Sequence, residues 1–163
     1  MQVISIPGFS EPVSSLTHLL AAIAAFLGAI FLLRKGRGNK LRLLALGIYS
    51  FSLVFLFSMS GVYHLLDPKG APRMVFQRLD HAGIWVLIAG TFTPLHVIAM
   101  RGFWRWGVVL SVWTLAITGL TLEVVFFQTI PEWLILLFFL GFGWVGFLTA
   151  YKLRKIYGLR EIQ

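Results

Sequence analysis

The chain has no cysteine. Disulfides and thiolate metal ligands are therefore excluded, and any bound metal has to be held by His, Asp, Glu and water. Charge is scarce as well. Only 12% of the 163 residues are Asp, Glu, Lys or Arg, against 58% hydrophobic, too little polar surface to cover a soluble globule of this length. The composition is that of an integral membrane protein. Acidic side chains are rarest, six against fourteen Lys and Arg, for a formal net charge of +8. The basic residues are scattered through short turns and lack an interleaved recognition element, which argues against nucleic acid as a partner. Membrane lipids with anionic headgroups are the expected partner. The opening MQVISIPGFSEP has no basic n-region and is broken by Pro7 and Pro12, so it does not read as a cleavable signal peptide. There is no internal repeat and no low-complexity segment.

What is present is five apolar segments of membrane-spanning length, near Val13 to Leu33, Leu41 to Leu66, Phe76 to Met100, Trp104 to Phe126 and Glu132 to Tyr151. Each is about 20 residues long, enough to cross roughly 30 Å of hydrocarbon as a helix. The connections RKGRGNK, DPKGAPR, the bend at Arg101-Gly102 and QTIP carry glycine, proline or charge and leave no room for a second domain. The expected fold is all-α, a polytopic transmembrane helical bundle forming one domain over residues 1–163.

Charge orients the bundle. Threading the segments up and down puts Arg34, Lys35, Arg37, Lys40, Arg42, Arg101, Arg105, Lys152, Arg154, Lys155 and Arg160 on one side, eleven of the fourteen basic residues; Lys69, Arg73 and Arg78 fall on the other. The positive-inside rule then predicts an N-terminus outside and a C-terminus inside the cytoplasmic membrane.

The same threading gathers polar residues. His18 lies about one turn into the first segment, His64 near the end of the second, and Asp80 and His81 at the start of the third. All four come to one leaflet. Ser60 and His64 are i and i+4 on one face, as are Ser14 and His18. Ionisable groups inside a membrane segment need a partner, a cavity or a function, so Ser60, His64 and Asp80 form the candidate site. Simpler roles stand beside that one. Asp80 could pair with Arg78 or cap the third helix; His96 and His81 read as interfacial side chains; His18 fits either reading. Glu123 either snorkels to the surface or approaches the polar cluster.

Other residues read as packing. Gly83 and Gly90, one heptad apart, and the Ala21, Ala25, Ala29 stripe allow helices to approach closely. Pro94 is expected to kink the third helix, with Thr91 or Thr93 satisfying a freed carbonyl. Trp104, Trp106, Trp133 and Tyr151 lie where an aromatic belt is expected.

SGVYH (Ser60 to His64), RLDH (Arg78 to His81) and IAGTFTP (Ile88 to Pro94), in this order, resemble the hemolysin III branch of the progestin and adiponectin receptor family. EPVSSLTH (Glu11 to His18) is similar to that family's opening Glu, Asn, Thr-His signature, with Ser14 at the usual Asn, and PEWLILLFFLGFGWVG (Pro131 to Gly146) is similar to its fifth helix. The resemblance implies a seven-helix membrane fold of which five helices are present here, with a zinc ion near one membrane face. It implies that His64 is a zinc ligand, Ser60 a neighbouring catalytic serine, and Asp80 the holder of a zinc-bound water. The family's other two ligands, an HxxxH in its seventh helix, have no counterpart, since no histidine follows His96.

Catalytic zinc ordinarily has three protein ligands and an open position. Zinc binding is therefore expected to be weak or absent unless His18 or His81 serves as an auxiliary ligand or another chain contributes. Two functions follow from the resemblance: a channel-like, cytolytic or membrane-homeostasis protein, or a zinc-dependent hydrolase of lipid amides or esters. The receptor branch of the family has a cytosolic N-terminus, opposite to the orientation that the charges predict. The missing helices are expected to leave a groove beside helices 1, 2 and 5, with Gly141, Gly143 and Gly146 as a contact face for lipid or a second copy, a homo-oligomer.

Overall fold

A computed structural model describes residues 9–158; Pro7 and Arg160 lie outside the described residues. Five helices run in order: α1 Pro12–Gly36, α2 Lys40–Leu65, α3 Ala71–Ala99, α4 Phe103–Val125 and α5 Glu132–Tyr157. Each is long and apolar enough to cross a membrane. Even the shortest, α4 with 23 residues, reaches about 34 Å at 1.5 Å per residue.

Local chemistry sets several boundaries. The Asn39 side chain accepts the Arg42 N–H at 3.0 Å and caps α2. Gly38, at φ 93, makes the α1–α2 turn that a Cβ would strain. α3 begins five residues earlier than its apolar pattern suggests, because Pro72 occupies the first turn, where its fixed φ favours a helix and its missing N–H has no role. Arg73 and Arg78 are thereby helical, and Asp80 lies well inside α3, not at its cap.

Pro94 sits inside an uninterrupted α3. The expected repair of its freed carbonyl is not the one observed. Thr91 donates to the Leu87 carbonyl and Thr93 to that of Ala89, both at 2.8 Å, one position or more before the Gly90 carbonyl that a proline at 94 leaves without its donor. Thr93 also accepts the indole N–H of Trp113 at 2.9 Å, tying α3 to α4.

α3 is the hub. Trp85, Ala89 and Phe92 are buried against Val112 and Ala116 of α4 and Phe142 of α5. On its other side Gly83 and Gly90 meet α2 so closely that a Cβ would fall 2.9 Å from Leu56 and 2.1 Å from the Ser52 hydroxyl. α1 packs on α2 through buried Ala22, Ala25 and Ala29. Neighbours in sequence run antiparallel, whereas α5 runs parallel to α3: Trp85 faces Phe139 and Phe142, and His96 faces Thr149. The bundle thus has a polar end, where α1, α3 and α5 begin, and a basic end, where they finish.

Candidate functional site

The polar end is stitched together by backbone before any side chain acts. The Glu11 N–H donates to the His64 carbonyl at 3.0 Å and that of Ser10 to the Leu65 carbonyl at 3.3 Å, fixing the start of α1 against the end of α2. Buried Ser15 donates to the Gly61 carbonyl at 2.9 Å. With that frame set, His18 Nδ1 and the Ser60 hydroxyl are hydrogen-bonded at 2.8 Å, and the His18 and His64 rings lie edge to face, 5.3 Å between centroids.

His64 Nδ1 is 2.8 Å from Glu11 Oε2. A carboxylate only accepts, so Nδ1 carries the hydrogen and the neutral ring leaves Nε2 as its acceptor. Glu11 is also ion-paired to Arg73, whose guanidinium donates to the Leu66 carbonyl at 2.8 Å and the Ser10 hydroxyl at 3.0 Å and lies over the Tyr63 ring. Glu11, Ser60, His64 and Arg73 therefore join α1, α2 and α3.

Asp80 sits on the α2-facing side of α3, three residues before Gly83. The Gly83–Leu56 and Gly90–Ser52 approaches set an antiparallel register that puts Asp80 level with Ser60. Among the described residues it makes no salt bridge, the three present all using other carboxylates. The expected pair with Arg78 is not formed; the Arg78 guanidinium stands 5.7 Å from the centre of the Phe127 ring instead.

A second cluster joins α3 to α4. Glu123 is 3% exposed. Its two oxygens accept from His81 Nδ1 at 2.7 Å and Trp85 Nε1 at 2.5 Å. His81, its side chain 40% exposed, is thus paired to α4, and Glu123 turns inward and does not snorkel. Trp85 reaches Glu123 because Gly119 leaves room for its ring: a Cβ there would sit 2.4 Å from the indole. The interfacial reading of His96 also fails. It is 0% exposed and bridges helices, with Nδ1 donating to the Trp104 carbonyl at 2.5 Å and Nε2 lying 3.0 Å from the Thr149 hydroxyl.

Sequence reasoning named Ser60, His64, Asp80, His18 and His81 but missed their partners. Glu11 stood only as a motif letter, Arg73 only as a charge, and Trp85 not at all. The available signal was the threading itself, which places the end of α4, and so Glu123, at the level of His81.

The donor set decides how far zinc fits. A histidine whose Nδ1–H is held by a carboxylate is the usual outer arrangement of a metal ligand, and His64 with Glu11 has it. Among the described residues, however, no three His, Asp or Glu side chains come together to hold a metal ion. The described residues thus offer His64 with its carboxylate-held Nδ1–H as a metal-ligand geometry, short of the three protein ligands that catalytic zinc uses.

The Glu11 pair also predicts a pH dependence. The hydrogen bond from Arg73 holds the Glu11 carboxyl below its ordinary value of 4.5, with His64 adding to the effect against partial burial. A carboxylate with a lowered folded value stabilises above its unfolded pKa and loses that contribution as pH falls through the folded one. The melting temperature of detergent-solubilised protein should therefore exceed that of Glu11→Gln at neutral pH. The gap should narrow only below about pH 4.5; a gap that widens on acidification contradicts the pairing.

Five membrane-length helices, with histidines and carboxylates drawn together at one end, define a polytopic helical membrane protein. The family model described as "Haemolysin-III related" matches residues 9–163, and the chain belongs to that family. It is similar to "Hemolysin-3" of Bacillus cereus, 31% identical over 118 residues that cover 71% of this chain and 53% of the relative. It is also similar to the "Hemolysin-3 homolog" of Bacillus subtilis (strain 168), 25% identical over 118 residues, 71% of this chain and 55% of the relative. The chain thus spans about half the length of the curated relatives it matches. No solved structure matches it.

Proposed function

We propose that the chain acts on the lipid bilayer itself, as a channel-like or cytolytic membrane component whose working part is the polar end. One observation carries this reading: ionisable side chains gathered at the same end of four successive helices, with Glu11 at the N-cap of α1, His18 within it, His64 on α2, Asp80 and His81 on α3, and Glu123 on α4. Charged groups at such depth are accommodated by snorkelling, local thinning of the bilayer and water defects. A band of them across a bundle favours a hydrated, perturbed leaflet around it. The printed names of the relatives, "Hemolysin-3" and "Hemolysin-3 homolog", agree with this. The exposed apolar flank of α5, including Leu137, Leu140 and Trp144, suits lipid or self-association into a homo-oligomer. We place the basic end in the cytoplasm of a cell membrane by the positive-inside rule. Reconstituted into dye-loaded vesicles, the purified chain should release dye, and His64→Ala should reduce the rate; intact vesicles at high protein load sink the reading.

A second reading, hydrolysis of lipid esters or amides, is favoured by the Ser60–His18 hydrogen bond beside the carboxylate-held His64. A hydroxyl against a base is the arrangement of an activated nucleophile or proton shuttle. If Ser60→Ala and His64→Ala abolish turnover of a fluorescent lipid ester or amide while vesicles stay sealed, this reading replaces the first. Elemental analysis of the same sample then reports whether zinc accompanies the activity.

A further inference from the structure

Between α4 and α5 lies an apolar groove of about 440 Å³, with Val108, Val112 and Leu115 on one wall and Phe138, Phe142 and Val145 on the other, open toward the basic end where α4 begins. Its α4 lining runs from Phe103 to Leu115, about 18 Å of helix. That is close to the depth of one leaflet, half of a hydrocarbon core about 30 Å thick.

The mouth of the groove is cationic by helical register. Arg105 precedes Val108 by three residues and Val112 by seven, so it continues the groove face of α4; Lys152 follows Val145 by seven and continues that of α5. Each charge lies near an indole: the Arg105 guanidinium is 5.3 Å from the Trp106 ring centre and the Lys152 ammonium 5.4 Å from that of Trp104. The Arg105 Nε is packed against protein atoms and makes no hydrogen bond among the described residues, which leaves the outer guanidinium nitrogens to face a headgroup.

We infer that this place binds one anionic diacyl phospholipid from the leaflet at the basic end, its phosphate held by Arg105 and Lys152 and one acyl chain lying along the α4/α5 groove. Charge complementarity selects the headgroup, and the length and apolar lining of the groove select a chain. A guanidinium matches phosphate oxygens in a planar, two-point geometry, which suits Arg105 to a phosphate better than to a neutral headgroup. The inference needs only the membrane placement of the bundle and is independent of the activity at the polar end.

The test is native mass spectrometry on the full chain in detergent, with phosphatidylglycerol and phosphatidylcholine of identical acyl chains offered in parallel. One phosphatidylglycerol per chain should be retained, and R105Q/K152Q should weaken its retention by at least about tenfold, as expected for two juxtamembrane cations. L115W, which fills the groove from an exposed lining position without changing charge, should weaken it too. Arg154 lies roughly 200° round the helix from Lys152, and R154Q should leave retention unchanged. Should R105Q/K152Q lose its helical circular dichroism, K152Q alone carries the comparison. Equal retention of phosphatidylcholine overturns the inference, as does retention indifferent to both K152Q and L115W. So does a thermal shift with inorganic phosphate as large as that with the lipid, which would mark a headgroup-sized anion site only.

Discussion

Glu123→Ala is expected to destabilise the bundle by about 2 kcal/mol, by removing one carboxylate shared by a buried indole and a half-exposed imidazole. His81 Nδ1–H and Trp85 Nε1–H both end on Glu123, and Trp85 is 1% exposed. Left without an acceptor, the buried indole N–H costs about 1–3 kcal/mol, whereas the His81 ring, 40% exposed, turns to other partners at little cost. Glu123→Gln should cost less, because its carbonyl oxygen still accepts one of the two bonds. Unfolding titrations in mixed micelles order the three proteins: wild type, then Gln, then Ala. Equal midpoints for wild type and Ala contradict the inward placement of Glu123.

The second large effect falls on Gly119→Ala. The new methyl group would meet the Trp85 ring at 2.4–2.8 Å, and this ring cannot swing aside freely: it is walled in by Phe139 and Phe142 of α5 and anchored by Glu123. Overpacking a fixed core side chain costs about 1–3 kcal/mol, and displacing the indole also breaks its hydrogen bond. The two substitutions act on one contact and should not add. With Glu123 already replaced by alanine, Gly119→Ala should lose part of its effect; full additivity in this double-mutant cycle means that Trp85 does not couple the two positions.

Helix count and helix order were legible because twenty-residue apolar runs and Gly, Pro or charged turns are long, strong signals. The convergence of His18, His64, Asp80 and His81 at one end was legible too, since it needs only alternating direction. What the pattern concealed was azimuth. Whether His81 faces lipid or α4 depends on which side of α3 receives its neighbour, and both sides of α3 are apolar and partly buried. Glu123 showed the same ambiguity: an acidic residue near a helix end snorkels or pairs according to rotation about the helix axis. His96 was misread for a related reason, because α5 returns parallel to α3 and supplies Thr149 from a partner 53 residues away. Grooves followed the same rule: one runs between α1 and α2 past Ala25 and Leu53, beside helices where it was expected, whereas the α4/α5 groove, with Gly141 in its lining, depends on how α5 is rotated.

Asp80 is the residue that separates action on the membrane from integrity of the fold. It lies about 14 Å along α3 from its first residue, level with Ser60, and pairs with no basic side chain among the described residues. Neutralising it therefore removes charge from the polar end without breaking an ion pair. The decisive measurement is dye release from vesicles by Asp80→Asn beside wild type, at equal incorporated protein, with unfolding midpoints taken on both. A midpoint within about 0.5 kcal/mol of wild type together with a severalfold slower release is the predicted result. Release by Asp80→Asn that matches wild type at matched stability would contradict the polar end as the working part of the protein.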